Sequence, residues 1–168
     1  AFFAVNNPYS AAAAVKITTD GAAVSIIALG SDASYEDKYA AEQLAKYLEK
    51  ISGAAVPVIN KKNTPQPGKT TIFVGNNSYL QQQGIYVGAD NEDAFRIKTV
   101  GDDILVLLGN GTRGTVFSVF AFLEELGCRW FMPDDLGEEL SALMTGSGIA
   151  DLAQEAMAFG ANKVCVAD

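Results

Sequence analysis

The segment from Ala94 to Asp135 limits the possible folds more than any other part of this chain, because it joins a strand pattern to a helix pattern through a glycine-rich turn. The strand pattern is the apolar run from Ile104 to Leu108, and the helix pattern is the apolar stretch from Thr115 to Leu126. A strand that passes directly into an apolar helix is typical of chains that pack helices on a sheet. The segment therefore predicts an α/β fold.

The glycines of this turn match a nucleotide-binding motif. Gly109, Gly111 and Gly114 fit G-x-G-x-x-G, the pattern of a dinucleotide-binding turn. Asp134 and Asp135 follow about twenty residues later, where that fold places the carboxylate that binds ribose. A tight strand-to-helix turn, however, needs glycine for backbone reasons whether or not a phosphate binds there. The motif leaves two alternatives, a nucleotide site or a structural turn.

The residues before the turn favour the structural alternative. Phe95 to Thr99 and Asp103 to Leu108 flank the turn residues 100–102, which is the pattern of a β-hairpin. A dinucleotide-binding unit instead enters its first turn from a buried parallel strand. We therefore expect a hairpin before the glycine turn and no bound cofactor.

Composition excludes several classes of function. The 168 residues, 17.7 kDa, suit one domain. Asp and Glu number 20 against 12 Lys and Arg, so a broad basic surface for nucleic acid is lacking. The chain has no histidine, which removes Ser-His-Asp and Cys-His catalysis and histidine zinc sites. No apolar stretch reaches the roughly 18 residues that cross a bilayer, so we expect neither nucleic acid nor a membrane as partner.

Cysteines and paired carboxylates predict no catalytic or metal site. Cys128 and Cys165 are too few for a metal framework, and their apolar surroundings favour buried thiols, with a disulfide between them left open. Adjacent acids occur at 124–125, 134–135 and 138–139. Neighbouring residues point in different directions on a helix or a strand, so none of these pairs is preset to flank a scissile bond.

The first half of the chain predicts a further helix and several strands. Ser34 stands three residues before Asp37, the spacing of a capping box, and the helix that follows ends before Gly53. The helix at 115–126 has little polar face, so we expect it to be buried on two sides. The predicted strands are Val15–Thr18 and Val24–Leu29, an antiparallel pair around Asp20 and Gly21, then Val56–Ile59 and Thr70–Val74 on either side of a polar loop at 61–69, with a short helix or turn at Tyr79–Gln83.

Three segments of the chain resemble a known kind of domain. YEDKYAAEQLAKYLEKISGAAVPV at 35–58, TIFVGNN at 71–77 and the segment 94–135 resemble the N-terminal domain that precedes the catalytic barrel in several glycoside hydrolases. Examples are the second domain of family-20 hexosaminidases and the N-terminal domain of α-glucuronidases. The resemblance covers roughly residues 12–138, and its most specific parts are AAEQLAKYLEKISG and RGTVFSVFAFLEELGCRWF.

The resemblance implies a fold and a role. The fold is α/β of the α+β type, a mixed β-sheet with two main helices, about 34–52 and 115–126, packed on one face. The role is that of a non-catalytic accessory domain, since the catalytic carboxylates of those enzymes lie on the barrel. It implies that the glycine turn serves fold closure and that Trp130 and Phe131 are packing residues, with sugar stacking on Trp130 as the alternative. The implied partners are a catalytic barrel of the same polypeptide and carbohydrate, and the implied location is secreted or periplasmic, with the cytoplasm as alternative.

The last thirty residues depart from that pattern. Glu139–Met144 and Lys163–Ala167 are typical of strands and Ile149–Phe159 of a helix, with a glycine turn at 146–148, which together form a βαβ unit. The sequence of these residues is similar to the start of the α subunit of electron-transfer flavoproteins. We therefore expect an accessory domain at 1–138 and a βαβ extension at 139–168 packed on it. The alternative function is a nucleotide- or flavin-binding Rossmann-like module that uses the turns at 109–114 or 146–148.

Overall fold

The computed structural model describes residues 15–130 and, as strand backbone, 138–139 and 163–165. The predicted helix at 149–159 and turn at 146–148 lie outside the described residues. The helices are α1 (Tyr35–Ser52), α2 (Ser78–Gln82) and α3 (Gly114–Glu125). The strands are β1 (Thr18–Thr19), β2 (Ala22–Ala23), β3 (Ser25–Leu29), β4 (Val58–Ile59), β5 (Thr70–Val74), β6 (Phe95–Val100), β7 (Ile104–Gly109), β8 (Arg129–Trp130), β9 (Glu138–Glu139) and β10 (Lys163–Cys165).

Six of the strands form one mixed sheet in the order β10-β6-β7-β5-β3-β4. β4, β3, β5 and β7 run parallel, whereas β6 is antiparallel to both β7 and β10. Every residue of β3 and β5 is buried, and so is all of β7 except Gly109. Strands covered on both faces need continuous apolar or β-branched runs, which SIIAL, TTIFV and ILVLL supply. The prediction of a mixed α/β fold is confirmed.

The two long helices lie on the same face of this sheet, as predicted. The buried side chains of α1 and α3 share one apolar core with the sheet residues that face them. The members of this core include Leu44 and Leu48 of α1, Val119 and Leu123 of α3, and Ile27, Ile72, Leu105 and Leu107 of the strands. Burial of aliphatic side chains of this size stabilises the fold by about 2 kcal/mol each.

The opposite face of the sheet is covered by α2 and the segment that leads from it to β6. Phe73 and Val106 project from the strands into a second apolar core. Leu80, Ile85 and Val87 close that core from outside, and all three are buried. The sequence indicated a short helix here but not that the following segment shields the sheet.

Two expectations about burial and pairing are corrected by the structure. The outer face of α3 is only half-buried at Val116, Phe117, Phe120 and Ala121, so α3 is not buried on two sides. The antiparallel pairing at the start of the chain is confined to β1 and β2, with Val24 N donating to Ile17 O. The longer strand β3 instead pairs in parallel with β4 and β5, because its residues occupy the middle of the large sheet.

Strand β4 forms one edge of the sheet. It has two residues, and it follows Pro57, whose carbonyl accepts a hydrogen bond from Ile27 N at 2.9 Å.

A separate two-stranded sheet joins β8 to β9. Among the described residues, no helix is long and apolar enough to cross a membrane.

Candidate functional site

The glycines of the G-x-G-x-x-G motif lie where a strand, a turn and a helix approach one another most closely. Gly109 ends β7 and Gly114 begins α3. A Cβ on Gly109 would lie 1.9 Å from Gly114 C, and a Cβ on Gly114 would lie 2.7 Å from Ala94 O. Backbone contact alone therefore requires glycine at both positions.

Residues 89–93 cover the space in front of this turn. Asn110 Nδ2 donates to Ala89 O at 2.6 Å and to Asn91 O at 3.1 Å. Arg113 forms a two-point ion pair with Asp93, with N–O distances of 2.7 and 3.1 Å. At Gly111, where φ is +55°, a Cβ would lie 2.8 Å from Glu92 O. Protein carbonyls and a carboxylate thus lie beside the turn, and Asp93 already pairs with the guanidinium of Arg113.

One argument that the sequence offered against a nucleotide site is wrong. The hairpin of β6 and β7 is present, with Val100 opposite Ile104 at its closed end. β7 is nevertheless a buried parallel strand, because its other neighbour is β5. A strand inside a mixed sheet can have one antiparallel and one parallel neighbour, so a hairpin does not exclude the strand geometry of a dinucleotide-binding unit.

Trp130 lies in an aromatic cluster that joins α1, α3 and β8. Its Nε1 donates to Tyr47 Oη at 2.9 Å, and its ring meets the rings of Tyr47 and Phe120 edge to face at 5.3 and 5.1 Å. Lys46 and Lys50 place their ammonium groups 5.4 and 5.2 Å from the centre of the Tyr47 ring. Trp130 is half-buried and held by these contacts, which is the geometry of a packing residue. Phe131 lies outside the described residues.

The remaining sequence candidates do not come together as a site. On α3, Glu124 is exposed and Glu125 half-buried. Cys128 is buried, as expected, whereas Asp134 and Asp135 lie outside the described residues. In the part of the chain that the structure describes, no group of three or more His, Cys, Asp or Glu side chains could hold a metal ion.

The structure shows a crevice beside α1 that no sequence pattern indicated, and we call it the β3–β4 crevice. It encloses about 490 Å³ between α1 and the carboxyl ends of β3 and β4. The charges of α1 and the loop after β4 belong to separate segments of the sequence. Only the pairing of β4 with β3 brings them together. The residues that line the crevice are Leu29, Gly30, Ser31, Lys38, Glu42, Val58, Asn60 and Lys61.

Comparison with known proteins gives weak structural neighbours. No family model matches the chain, and no curated protein matches it. Among solved structures, the chain is similar to a family GH115 4-O-methyl-α-glucuronidase, BtGH115A, with specificity for decorated arabinogalactans, at 21% identity and a TM-score of 0.49 over 70% of this chain. It is also similar to CpGH84D, at 19% identity and a TM-score of 0.43 over 62% of this chain. Both neighbours are glycoside hydrolase chains, and this chain spans only 16% and 17% of their lengths.

Proposed function

We propose that the chain is a non-catalytic accessory domain of a glycoside hydrolase, which supports an adjacent catalytic barrel of the same polypeptide. One observation carries the proposal. The two segments with the most specific resemblance to such domains, AAEQLAKYLEKISG and RGTVFSVFAFLEELGCRWF, pack against each other as α1, α3 and β8. Tyr47 and Trp130, 83 residues apart, share a hydrogen bond at this junction. The residues behind the resemblance therefore act as one packed unit.

The groups present in the described part of the chain support a non-catalytic role. The chain has no histidine. Glu42 is the one carboxylate that lines the β3–β4 crevice, where a glycosidase of the usual kind needs two acids. The chemistry of hydrolysis is accordingly assigned to another domain.

The outer face of α3 supports a role in bracing a neighbouring domain. Val116, Phe117 and Ala121 remain half-buried along this face, although each is an apolar side chain. Apolar groups that a domain leaves at its surface are typical of contacts with another domain. We propose that the outer face of α3 contacts the catalytic barrel.

The coding sequence downstream of Asp168 tests the proposal most directly. We expect a barrel domain with two carboxylates, and we expect its thermal midpoint to fall when residues 1–138 are deleted. The 168-residue chain alone should release no 4-nitrophenol from a panel of 4-nitrophenyl glycosides. Hydrolysis by the chain alone, or an enzyme whose barrel is equally stable without the domain, would refute the accessory role.

A nucleotide-binding module is the second candidate function, and the parallel pairing of β7 with β5 is the observation that favours it. Calorimetry with NAD, FAD and AMP tests it, and we expect no heat of binding. The informative variant is Arg113→Ala, because it removes the guanidinium beside the turn, on a side chain that is 67% exposed, and places no new side chain at a glycine of the motif. A bulky residue at Gly111 would disturb the backbone by itself, since φ there is positive and Glu92 O is close. Micromolar binding that Arg113→Ala weakens would replace the accessory-domain proposal.

We also propose that the enzyme acts outside the cytoplasm, as secreted or periplasmic protein. Enzymes that degrade polymeric carbohydrate meet their substrates there. Cell fractionation of the producing organism, with antibody against this chain, tests the location. Recovery of the chain in the cytoplasmic fraction alone would contradict it.

A further inference from the structure

The β3–β4 crevice lies at the position where parallel α/β sheets commonly bind ligands. The crevice lies outside the carboxyl ends of the parallel neighbours β3 and β4, whereas the chain connections diverge between β3 and β5, on the other side of β3. Ligands of open α/β sheets bind outside the carboxyl ends of strands. The crevice volume of 490 Å³ is also within the range of small-molecule sites.

The rim of the crevice is held in place by hydrogen bonds between two loops. Asn63 Nδ2 donates to Ser31 Oγ at 2.7 Å, and Asn63 Oδ1 accepts from Ser31 N at 3.1 Å. Lys62 N donates to Leu29 O at 2.8 Å, which ties the loop after β4 to the end of β3. A preformed rim reduces the ordering cost of binding.

The charges inside the crevice favour an anionic ligand. Lys38 and Lys61 both line it, and neither forms an ion pair within the described residues, although the whole chain carries a net charge of -8. Glu42 is the one acid at the wall, and Asn60 and Ser31 add an amide and a hydroxyl. Two ammonium groups attract an anion, while a carboxylate, an amide and a hydroxyl can bind ligand hydroxyl groups.

Two exposed aromatic rings stand on the same helix face as the charged walls. Tyr35 and Tyr39 are 77% and 40% exposed, and they precede Lys38 and Glu42 by three residues each. Residues spaced by three, four and seven positions share one face of a helix. Exposed tyrosine rings offer flat apolar faces with a polar tip, a surface that suits the apolar face of a sugar ring.

We propose that the β3–β4 crevice binds an oligosaccharide that carries an anionic group, with Lys38 and Lys61 at the anion, Glu42 and Asn60 at ring hydroxyls, and Tyr39 beside a sugar ring. The choice of a sugar rests on the proposed function, whereas the requirement for negative charge rests on the crevice itself. The accessory domain would then hold acidic polysaccharide near the catalytic barrel.

Calorimetry and NMR titration of the 168-residue chain test the site with three probes of equal length: a trigalacturonate, a sulfated trisaccharide and a neutral trisaccharide. We expect at least one acidic probe to bind about tenfold more tightly than the neutral one. Binding of the carboxylated probe alone or of the sulfated probe alone would identify which anion the site accepts.

Single variants locate the binding. Lys38→Ala and Lys61→Asn should each weaken binding of the acidic probe about tenfold, and Tyr39→Ala should weaken binding of all probes. Asparagine is chosen at 61 because it tolerates the positive φ of 55° found there. Lys69→Ala is the matched control. It removes the same charge just before β5, at the amino ends of the parallel strands, whereas the crevice lies at their carboxyl ends.

Three outcomes would overturn the site, provided that circular dichroism shows the variants folded. The first is equal binding of neutral and acidic probes, and the second is an equal loss in Lys69→Ala, which would indicate unspecific charge attraction. Failure of all three probes would also overturn it, yet would leave the accessory role standing if a catalytic barrel follows in the coding sequence. Nucleotide binding at the glycine turn would instead refute the accessory role.

Discussion

Gly109 shows how one residue fixes the junction between sheet and helix. Its backbone needs no positive φ, so the requirement for glycine comes from contact alone. Any side chain would meet Gly114 C at 1.9 Å and Thr115 N at 2.2 Å, and both atoms belong to backbone that cannot rotate away. The start of α3 is therefore pressed directly against the end of β7.

We expect Gly109→Ala to destabilise the fold by about 3 kcal/mol, because α3 must move away from the sheet to accommodate one methyl group. Gly84→Ala is the control, since its φ of +65° is unfavourable for alanine but no atom lies within 4 Å of the new Cβ. That variant should cost about 1 kcal/mol. Urea denaturation measures both, and equal costs would contradict a close backbone contact at Gly109.

At the scale of single residues, the sequence identified the glycines of the turn but not whether they serve backbone packing or a ligand. The motif of Gly109, Gly111 and Gly114 can be recognised in the sequence itself. Its use depends on Glu92 and Ala94, which approach the turn only after β6 pairs with β7. Such contacts between separate segments leave no local pattern, so the turn allowed two functions from sequence alone.

The start of helix α1 shows a local signal that could be read without the fold. Ser34 Oγ accepts from Asp37 N at 3.0 Å, and Asp37 Oδ2 accepts from Ser34 N at 3.0 Å, so the predicted capping box is confirmed. Gly53 ends the helix with φ of 70° and donates to Glu49 O at 2.8 Å. Caps involve residues close in sequence, which is why they were predictable. The half-buried outer face of α3 was not, because it depends on what packs against it.

Loss of the cap should weaken α1 measurably. We expect Ser34→Ala to lower the free energy of unfolding by about 1 kcal/mol, since the N–H of Asp37 loses its acceptor. Ser78→Ala provides a control at an exposed position of the short helix α2. Thermal unfolding followed by circular dichroism compares the two, and similar midpoints would contradict a stabilising cap.

Tryptophan fluorescence can report on the junction of α1, α3 and β8. Trp130 is the single tryptophan of the chain, so its fluorescence reports this junction alone. We expect Phe120→Leu to shift the emission maximum to longer wavelength, because a ring that now shields the indole is lost. Ile59→Leu, on the distant edge strand β4, should leave the emission unchanged. An unaltered spectrum in Phe120→Leu would show that Trp130 is not enclosed by this cluster in solution.

The molecule as a whole is organised around its three central strands. β3, β5 and β7 lie between α1 and α3 on one side and the segment from α2 to β6 on the other. The resemblance to the accessory domains of glycoside hydrolases implied a mixed sheet with both long helices on one face, as the structure has it. The order of strands could not be predicted, because placing β4 and β5 on opposite sides of β3 depends on packing between distant segments.

Hydrogen exchange should follow this arrangement. We expect the amides of β3, β5 and β7 to exchange only on global unfolding, and those of the loops at 60–69 and 84–93 to exchange through local opening. Exchange followed by mass spectrometry resolves these segments. Faster exchange in β5 than in the edge strand β4 would contradict a core centred on these strands.

The two-residue length of β4 has a consequence for how copies of this protein behave together. A long uncovered strand offers a row of unpaired N–H and C=O groups on which another chain can build, and this is a common route to aggregation. At this edge the row is too short to align a foreign strand, and Pro57 just before it has no N–H to donate. The edge therefore resists intermolecular strand pairing, so the protein should withstand high concentration without aggregating through this edge.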